Sequence, residues 1–322
     1  PALTRGVVRF ATGNRPRRSS WAAARCRPRL AAMGGGTAFE HDDPQLSAAV
    51  AACAEAARCG ELVVVMDFDR TMTRCFLPSG ERGCSSHGVL EHAGVLSESF
   101  QTQCAELLAK YYPIEIDPEM SINQKTPHMF EWYSTVHKLM LKEQVTRAAI
   151  DKAVAECTRL MLRDGIEDLL RMCQEASPPI PVLVLSAGLK DVIDSALERH
   201  LPFKLAPTTA VVSNTMCFDD DGKLSGFSEP LLHMFNKTAA FLPDDLTPLV
   251  EGKRHCLILG DSMGDLTMAD GLDLRTLKVG FLNDKVEELL QRYTDAYDHV
   301  VTQDGPVPDL CFHAIGVEPP GR

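Results

Sequence analysis

Leu62-Val63-Val64-Val65-Met66-Asp67-Phe68-Asp69-Arg70-Thr71 runs an unbroken apolar stretch straight into two carboxylates. A short apolar run bounded by Gly60 on one side and Asp67 on the other reads as a strand buried on both faces. Upstream, the alanine-rich stretch Leu46 to Arg58 is helical in character, and Gly60 ends it as a glycine past a helix C-terminus does. Downstream, Pro181 to Leu185, His255 to Leu259 and Leu277 to Phe281 repeat the apolar-run pattern, with helical stretches between them. Strands alternating with helices predict an α/β fold with a doubly wound parallel sheet. In such sheets ligands bind beyond the carboxyl ends of the strands.

Three of those ends carry reactive groups: Asp67-Phe68-Asp69, Ser186-Ala187-Gly188, and Gly260-Asp261-Ser262-Met263-Gly264-Asp265. One polar turn after a strand is ordinary; three together point to a site. Carboxylates two residues apart on an extended segment face the same way. Asp67 is then placed to attack phosphorus. Asp69 is placed to protonate the leaving oxygen and later to deprotonate water. A carboxylate attacking a phosphate dianion meets Coulomb repulsion, so a cation is needed between them. Mg2+, which prefers oxygen ligands, fits Asp67 and Asp261, with Asp265 supporting from behind. Ser186 and the N–H groups of a helix expected directly after it suit phosphate oxygens. Lys237, in Phe235-Asn236-Lys237, is the candidate cationic partner.

Composition bounds the function. The formal net charge of -11 removes the basic footprint of a nucleic-acid binder, while leaving room for a small phosphorylated substrate. No apolar run approaches the roughly 18 residues that cross a bilayer. The 11 cysteines contain no Cys-x-x-Cys pair, so free thiols in a reducing compartment are expected. Residues 1–32 hold eight arginines between Arg5 and Arg29, with no acid and no lysine. That composition suits an organelle transit peptide. A start at Met33-Gly34-Gly35-Gly36 is the other reading, with a cytoplasmic protein as its consequence. The oligomeric state is not written in the sequence, and a monomer is compatible with it.

The motifs carry a resemblance. Asp67-Phe68-Asp69-x-Thr71, Ser186-Ala187-Gly188, Asn236-Lys237 and Gly260-Asp261-Ser262-x-Gly264-Asp265 resemble, in order, the four motifs of the haloacid dehalogenase phosphatase superfamily. Residues 110–118 (KYYPIEIDP), Glu131-Trp132-Tyr133, residues 263–271 (MGDLTMADG) and residues 280–288 (GFLNDKVEE) resemble cytosolic 5'-nucleotidases of type III, including the 7-methylguanosine-phosphate-specific form. The likeness runs from about Leu62 to Asp304. It implies a Rossmann-like core with an inserted helical cap: an extension over 1–43, a phosphatase core over 44–75 and 164–318, and the cap over 76–163. It implies Asp67 as nucleophile and Mg2+ ligand, Asp69 as acid/base with its backbone carbonyl on the metal, and Asp261 as the third ligand. Ser186, Ala187 and Lys237 would hold the phosphate, and Glu115 would meet the base. As an ionised carboxylate at neutral pH, Glu115 would accept from the two adjacent donors on the edge of guanine. An aromatic face such as Trp132 suits the positive charge that N7 methylation adds. The expected substrates are 7-methylguanosine and cytidine or other pyrimidine monophosphates. Arg70 departs from the family's usual methionine, and Val136 replaces a small or hydroxylated residue.

Other signals are read as structural. Asp219-Asp220-Asp221-Gly222 lacks the alternating spacing of a calcium loop and predicts a hairpin turn. Tyr111, Tyr112, Trp132 and Tyr133 divide between cap core and substrate face. His87 and His92 are expected in a solvated loop, with base stacking by His87 as the other reading, and His128 and His137 lack metal-ligand spacing. Two other functions are compatible with the motifs: a phosphatase of the same fold for a non-nucleotide phosphate monoester, and an idle nucleotide-binding protein.

Overall fold

The computed structural model describes residues 43–117 and 119–321; the arginine-rich segment and its two readings lie outside them. The first helix, α1 (Pro44–Arg58), begins where Asp43 accepts from the N–H groups of Gln45 and Leu46, and Gly60 follows its end at φ 73°. Strand β1 (Leu62–Met66) leads into a tight turn over Phe68–Met72. Four helices follow without a strand: α2 (Ser86–His92), α3 (Glu98–Ile116), α4 (Ile122–Glu143) and α5 (Arg147–Glu156). Ser85, Ser97, Ser121 and Thr146 cap their N-termini through side-chain oxygens. The chain continues through α6 (Ile166–Glu175), β2 (Val182–Leu189), α7 (Lys190–His200), β3 (Thr209–Asn214), and the hairpin strands β4 (Met216–Phe218) and β5 (Leu224–Phe227). It ends with β6 (His255–Gly260), β7 (Arg275–Leu282), α8 (Val286–Ala296), β8 (His299–Thr302) and α9 (Asp309–Ala314).

Six strands form one parallel sheet in the order β3-β2-β1-β6-β7-β8. The chain winds outward from β1 through β2 to β3, then crosses back to β6 on the other side of β1. The crevice at that reversal is where a parallel sheet opens to a ligand. It lies between the carboxyl ends of β1 and β6, which carry Asp67 and Asp261. Every residue of β1 is fully buried, and alternate side chains feed opposite faces. Val64 and Met66 join the cluster with α1, α6 and α9, while Val63 and Val65 join Ile258, Leu232 and Met268.

The four expected strands are present. The sequence reading missed the edge strands β3 and β8, whose residues are largely half-buried and polar enough to break the apolar pattern. The predicted hairpin turn joins β4 and β5, with Asp219 accepting from the N–H groups of Asp221 and Lys223. No described helix is long and apolar enough to cross a membrane.

The segment bearing α2–α5 leaves and re-enters the sheet at one place. Thr73 pairs with Leu162, Arg74 N donates to Met161 O, and Arg163 N donates to Met72 O at 2.8 Å. Phe100, Val136 and Met140 from these helices share one apolar cluster with Val64 and Met66. Arg163, 1% exposed, locks the crossing. Its guanidinium donates to the carbonyls of Thr71 (2.7 Å), Gly305 (2.6 Å) and Arg70 (2.5 Å), pairs with Asp304 at 3.1 Å, and lies over the Phe281 ring. Asp304 in turn accepts from the N–H groups of Cys75 and Phe76. Arg163→Met strands a buried carboxylate and several carbonyls, and is expected to cost about 3–5 kcal/mol. Urea denaturation should show this as a lower midpoint at unchanged slope; a loss under about 1 kcal/mol would contradict the assignment of Arg163 as the lock.

Candidate active site

Asp67 continues the ladder of β1, its N–H donating to Leu259 O at 3.0 Å. Asp67 and Asp69 both have extended backbones, so Phe68 between them turns into the core, fully buried, and both carboxylates face the crevice. Arg70 then takes a left-handed conformation, φ 63° and ψ 2°. For a side chain of this size that costs about 1–3 kcal/mol. The turn is clamped at both ends: Arg70 N donates to Thr73 Oγ1, and Arg70 O accepts from Arg163 and from Asn283 Nδ2 at 2.9 Å.

Lys237 is the electrostatic centre. Its Nζ lies 2.6 Å from Asp67 Oδ1 and 2.7 Å from Asp265 Oδ1, and all three residues are buried. Burial alone would lower the Lys237 ammonium, but Asp265 and Asp67 outweigh it and hold it well above its ordinary range. Burial pushes Asp67 up, with Lys237 opposing. Asp265 has a second duty: Oδ2 accepts from the N–H groups of Asp261 (2.9 Å) and Ser262 (2.8 Å), shaping the loop after β6. A Cβ at Gly260 would stand 2.3 Å from Asp265 Cβ, so only glycine fits there. From α8, Tyr293 and the following Tyr297 donate to the carbonyls of Asp261 and Ser262.

Carboxylate oxygens of Asp67, Asp261 and Asp265 lie within 4.8 Å of one another. An all-oxygen acidic set of this kind fits a hard divalent cation. Burial, then Asp265, pushes Asp261 up to about 7, with Arg70 and Lys237 opposing. The Asp69 side chain is not in this set. Its oxygens accept from Ser86 N at 2.7 Å and Ser86 Oγ at 2.8 Å, and burial raises it despite those bonds. Ser86 was not foreseen. Ser85 caps α2 and Ser86 is its first residue, but nothing local ties Ser86 to a carboxylate 17 positions earlier.

Ser186 is buried beside the crevice, its Oγ accepting from Gly188 N at 3.0 Å. The helix expected directly after it is displaced. Ser186-Ala187-Gly188 stays extended within β2, and α7 begins at Lys190. The reason lies on β3. Ser213 Oγ and Asn214 Nδ2 donate to Gly188 O, and Asn214 Nδ2 also to Ala187 O, holding those carbonyls as strand partners. Gly188 is sterically required, since a Cβ there would lie 2.0 Å from Ser86 Oγ.

One cavity of about 820 Å³ brings together Asp67, Asp69, Lys237, Asp261, Ser186 and Ala187 at the sheet, and Glu115 and Trp132 from the helices. Burial pushes Glu115 up to about 7, against Arg70, Lys125 and Lys237. This corrects the expectation of a fully ionised carboxylate at neutral pH. Lys125 Nζ fixes the segment by donating to Glu115 O at 2.7 Å. Tyr111 is core and stacks behind Trp132 at 5.8 Å, whereas Tyr112 and Tyr133 line the cavity. His87 and His92 also differ from expectation. Both sit on α2 and line the cavity, with His87 edge-on to Tyr133 at 5.7 Å and pushed down to about 4 by burial.

Seven of the ten described cysteines are buried and all ten are free, as the sequence predicts.

Comparison with known proteins agrees with this geometry. The family model for pyrimidine 5'-nucleotidase (UMPH-1) matches residues 70–310. The 7-methylguanosine phosphate-specific 5'-nucleotidase of Gallus gallus is 41% identical over 249 residues, covering 76% of this chain and 84% of that protein. Its namesake from Homo sapiens is 39% identical over 246 residues, covering 76% and 80%. Among solved structures, cytosolic 5'-nucleotidase IIIB bound to cytidine superposes with a TM-score of 0.70 at 32% identity, covering 85% of this chain and 92% of that one. The matched range, the identities and the superposition agree, and the chain belongs to the pyrimidine 5'-nucleotidase family, a 5'-nucleotidase built on the haloacid dehalogenase fold.

Proposed function

We propose that the protein hydrolyses nucleoside 5'-monophosphates with Mg2+, through an aspartyl-phosphate on Asp67. The observation that carries this reading is the Lys237 ammonium held between Asp67 and Asp265 at the reversal point of the sheet. It opposes the protonation that burial favours at Asp67, and so favours the nucleophilic carboxylate form. Asp67 Oδ attacks phosphorus, the P–O5' bond breaks, and Asp69, held by Ser86 and raised by burial, gives its proton to the departing oxygen. Asp69 then takes a proton from water as the water attacks the acyl phosphate, releasing phosphate and restoring Asp67. Ser186, Ala187 and Lys237 bind the phosphoryl oxygens. Asp67, Asp261 and the Asp69 carbonyl would hold Mg2+, with Asp265 behind them, and the ion supplies charge neutralisation at phosphorus.

In this proposal residues 76–163 form a cap on a core of 44–75 and 164–318, and Glu115 and Trp132 read the base. A Glu115 near 7 suits two bases by turns. As a carboxylate it accepts from both edge donors of 7-methylguanine. Protonated, it donates to the ring nitrogen of cytosine while accepting from the adjacent amine. The substrates are accordingly 7-methylguanosine and cytidine monophosphates. A cytoplasmic location fits the free thiols.

Three outcomes are expected. Asp67→Asn should show no turnover while keeping its circular dichroism, and Asp69→Asn should lose about 100- to 10,000-fold in kcat; near-normal turnover in Asp67→Asn would rule out the covalent route. A chelator should stop phosphate release, Mg2+ should restore it and Ca2+ should do so poorly, because its larger, looser shell disturbs in-line geometry. Activity persisting in excess chelator would contradict the metal assignment. For the base, the KM of the methylated nucleotide relative to that of cytidine monophosphate should fall as pH rises through about 7, where Glu115 loses its proton. Glu115→Gln, which donates and accepts at every pH, should flatten that dependence and favour the cytidine nucleotide; an unchanged pH profile would remove Glu115 from base recognition.

A further inference from the structure

Arg70 is a cation with no ion partner among the described residues, in the cavity it shares with Lys237 and Lys125. Lys237 is bound to two carboxylates and Lys125 to the Glu115 carbonyl. Among the described residues, no carboxylate lies within ion-pair distance of the Arg70 guanidinium, although Arg70 lines the cavity with Glu115 and Asp261. Its backbone is not free to turn away. The left-handed turn is held by Thr73 at its N–H and by Arg163 and Asn283 at its carbonyl. Backbone strain kept in place by this many bonds marks a side chain whose aim matters. Burial works against the Arg70 charge, but Asp261, Glu115 and Asp69 outweigh it, which places the cation in the field of both the phosphoryl end and the base end of the cavity.

We propose that Arg70 is a specificity-determining residue whose unpaired guanidinium, lining the same cavity as Asp261 and Glu115, disfavours nucleotides with a cationic base and tilts the enzyme toward neutral bases. This rests on the nucleotidase reading above and sharpens it. A 7-methylguanine ring brings one positive charge into the partly desolvated space that the Arg70 charge already faces. Cytosine brings none, and its carbonyl oxygen is an acceptor that a guanidinium can serve. A methionine at this position would present an apolar chain of similar length and no repulsion.

The test compares 7-methylguanosine 5'-monophosphate with guanosine 5'-monophosphate, which differ by one methyl group and one charge; the rise of Glu115 that follows loss of the Arg70 charge weakens the cationic base more and so works against the expected change. Removing a unit charge from a cavity of intermediate dielectric should raise the methylated-over-unmethylated ratio of kcat/KM by about tenfold in Arg70→Met. Arg70→Gln should move it the same way, and Arg70→Lys should leave it near that of the unaltered enzyme. A ratio unchanged in both neutral variants, or shifted as much by Arg70→Lys, would overturn the proposal. If the unaltered protein released phosphate from other monoesters but from no nucleotide, the nucleotidase reading itself would fail and the inference with it.

Discussion

Like charges gathered out of water repel, and this protein gathers Asp67, Asp69, Asp261 and Asp265 at the end of two adjacent strands. Burial pushes Asp67, Asp69 and Asp261 toward protonation, and neighbouring carboxylates add to it at Asp67 and Asp261. Lys237 is the cation within the chain that opposes this. It is buried itself, so its charge is tolerable only because two carboxylates hold it, and theirs only because of it. The arrangement of the loops follows from this mutual dependence. Asp265 must reach Lys237 with one oxygen and tie the Asp261–Ser262 loop with the other, which brings its Cβ against Gly260.

A second constraint is steric. Ser86 must approach Asp69 from α2, and the space it enters exists because residue 188 has no side chain. The glycine of the second motif thus makes room for the serine that holds Asp69 of the first. Asn214 and Ser213 complete the wall by gripping the carbonyls of Ala187 and Gly188 from the neighbouring strand. Ser186, Ala187 and Asp69 are therefore parts of one packed unit, and the placement of each depends on the others.

The parts legible in the sequence are those with local signatures. β1, β6 and β7 announce themselves as buried apolar runs, and the residues after β1, β2 and β6 as polar groups where a parallel sheet opens. Asp67, Asp69, Asp261 and Lys237 were readable from type and position together. Ser86, Asn214 and Arg163 were not, because each acts through a partner far along the chain: 17 positions for Ser86 and Asp69, 27 for Asn214 and Ala187, 92 for Arg163 and Thr71. Edge strands β3 and β8 escaped for another reason, since half-buried strands need no apolar run. The displaced start of α7 belongs with these, because the carbonyl grip that delays it comes from β3. The charge state of Glu115 was beyond reach as well, being set by burial between helices.

Asp304 joins these threads at the periphery. It accepts from the first residues of the helical segment, Cys75 and Phe76, and pairs with Arg163, the residue by which that segment returns, while Arg163 holds the carbonyl of Arg70. Both ends of an excursion of some ninety residues are knotted to one carboxylate beyond β8. Mechanical load on the helices is thereby transmitted to the turn that follows Asp67. Fraying of the outer helices and loosening of the catalytic turn become one event, so heat or denaturant should find a single cooperative body in which shape and catalysis fail together.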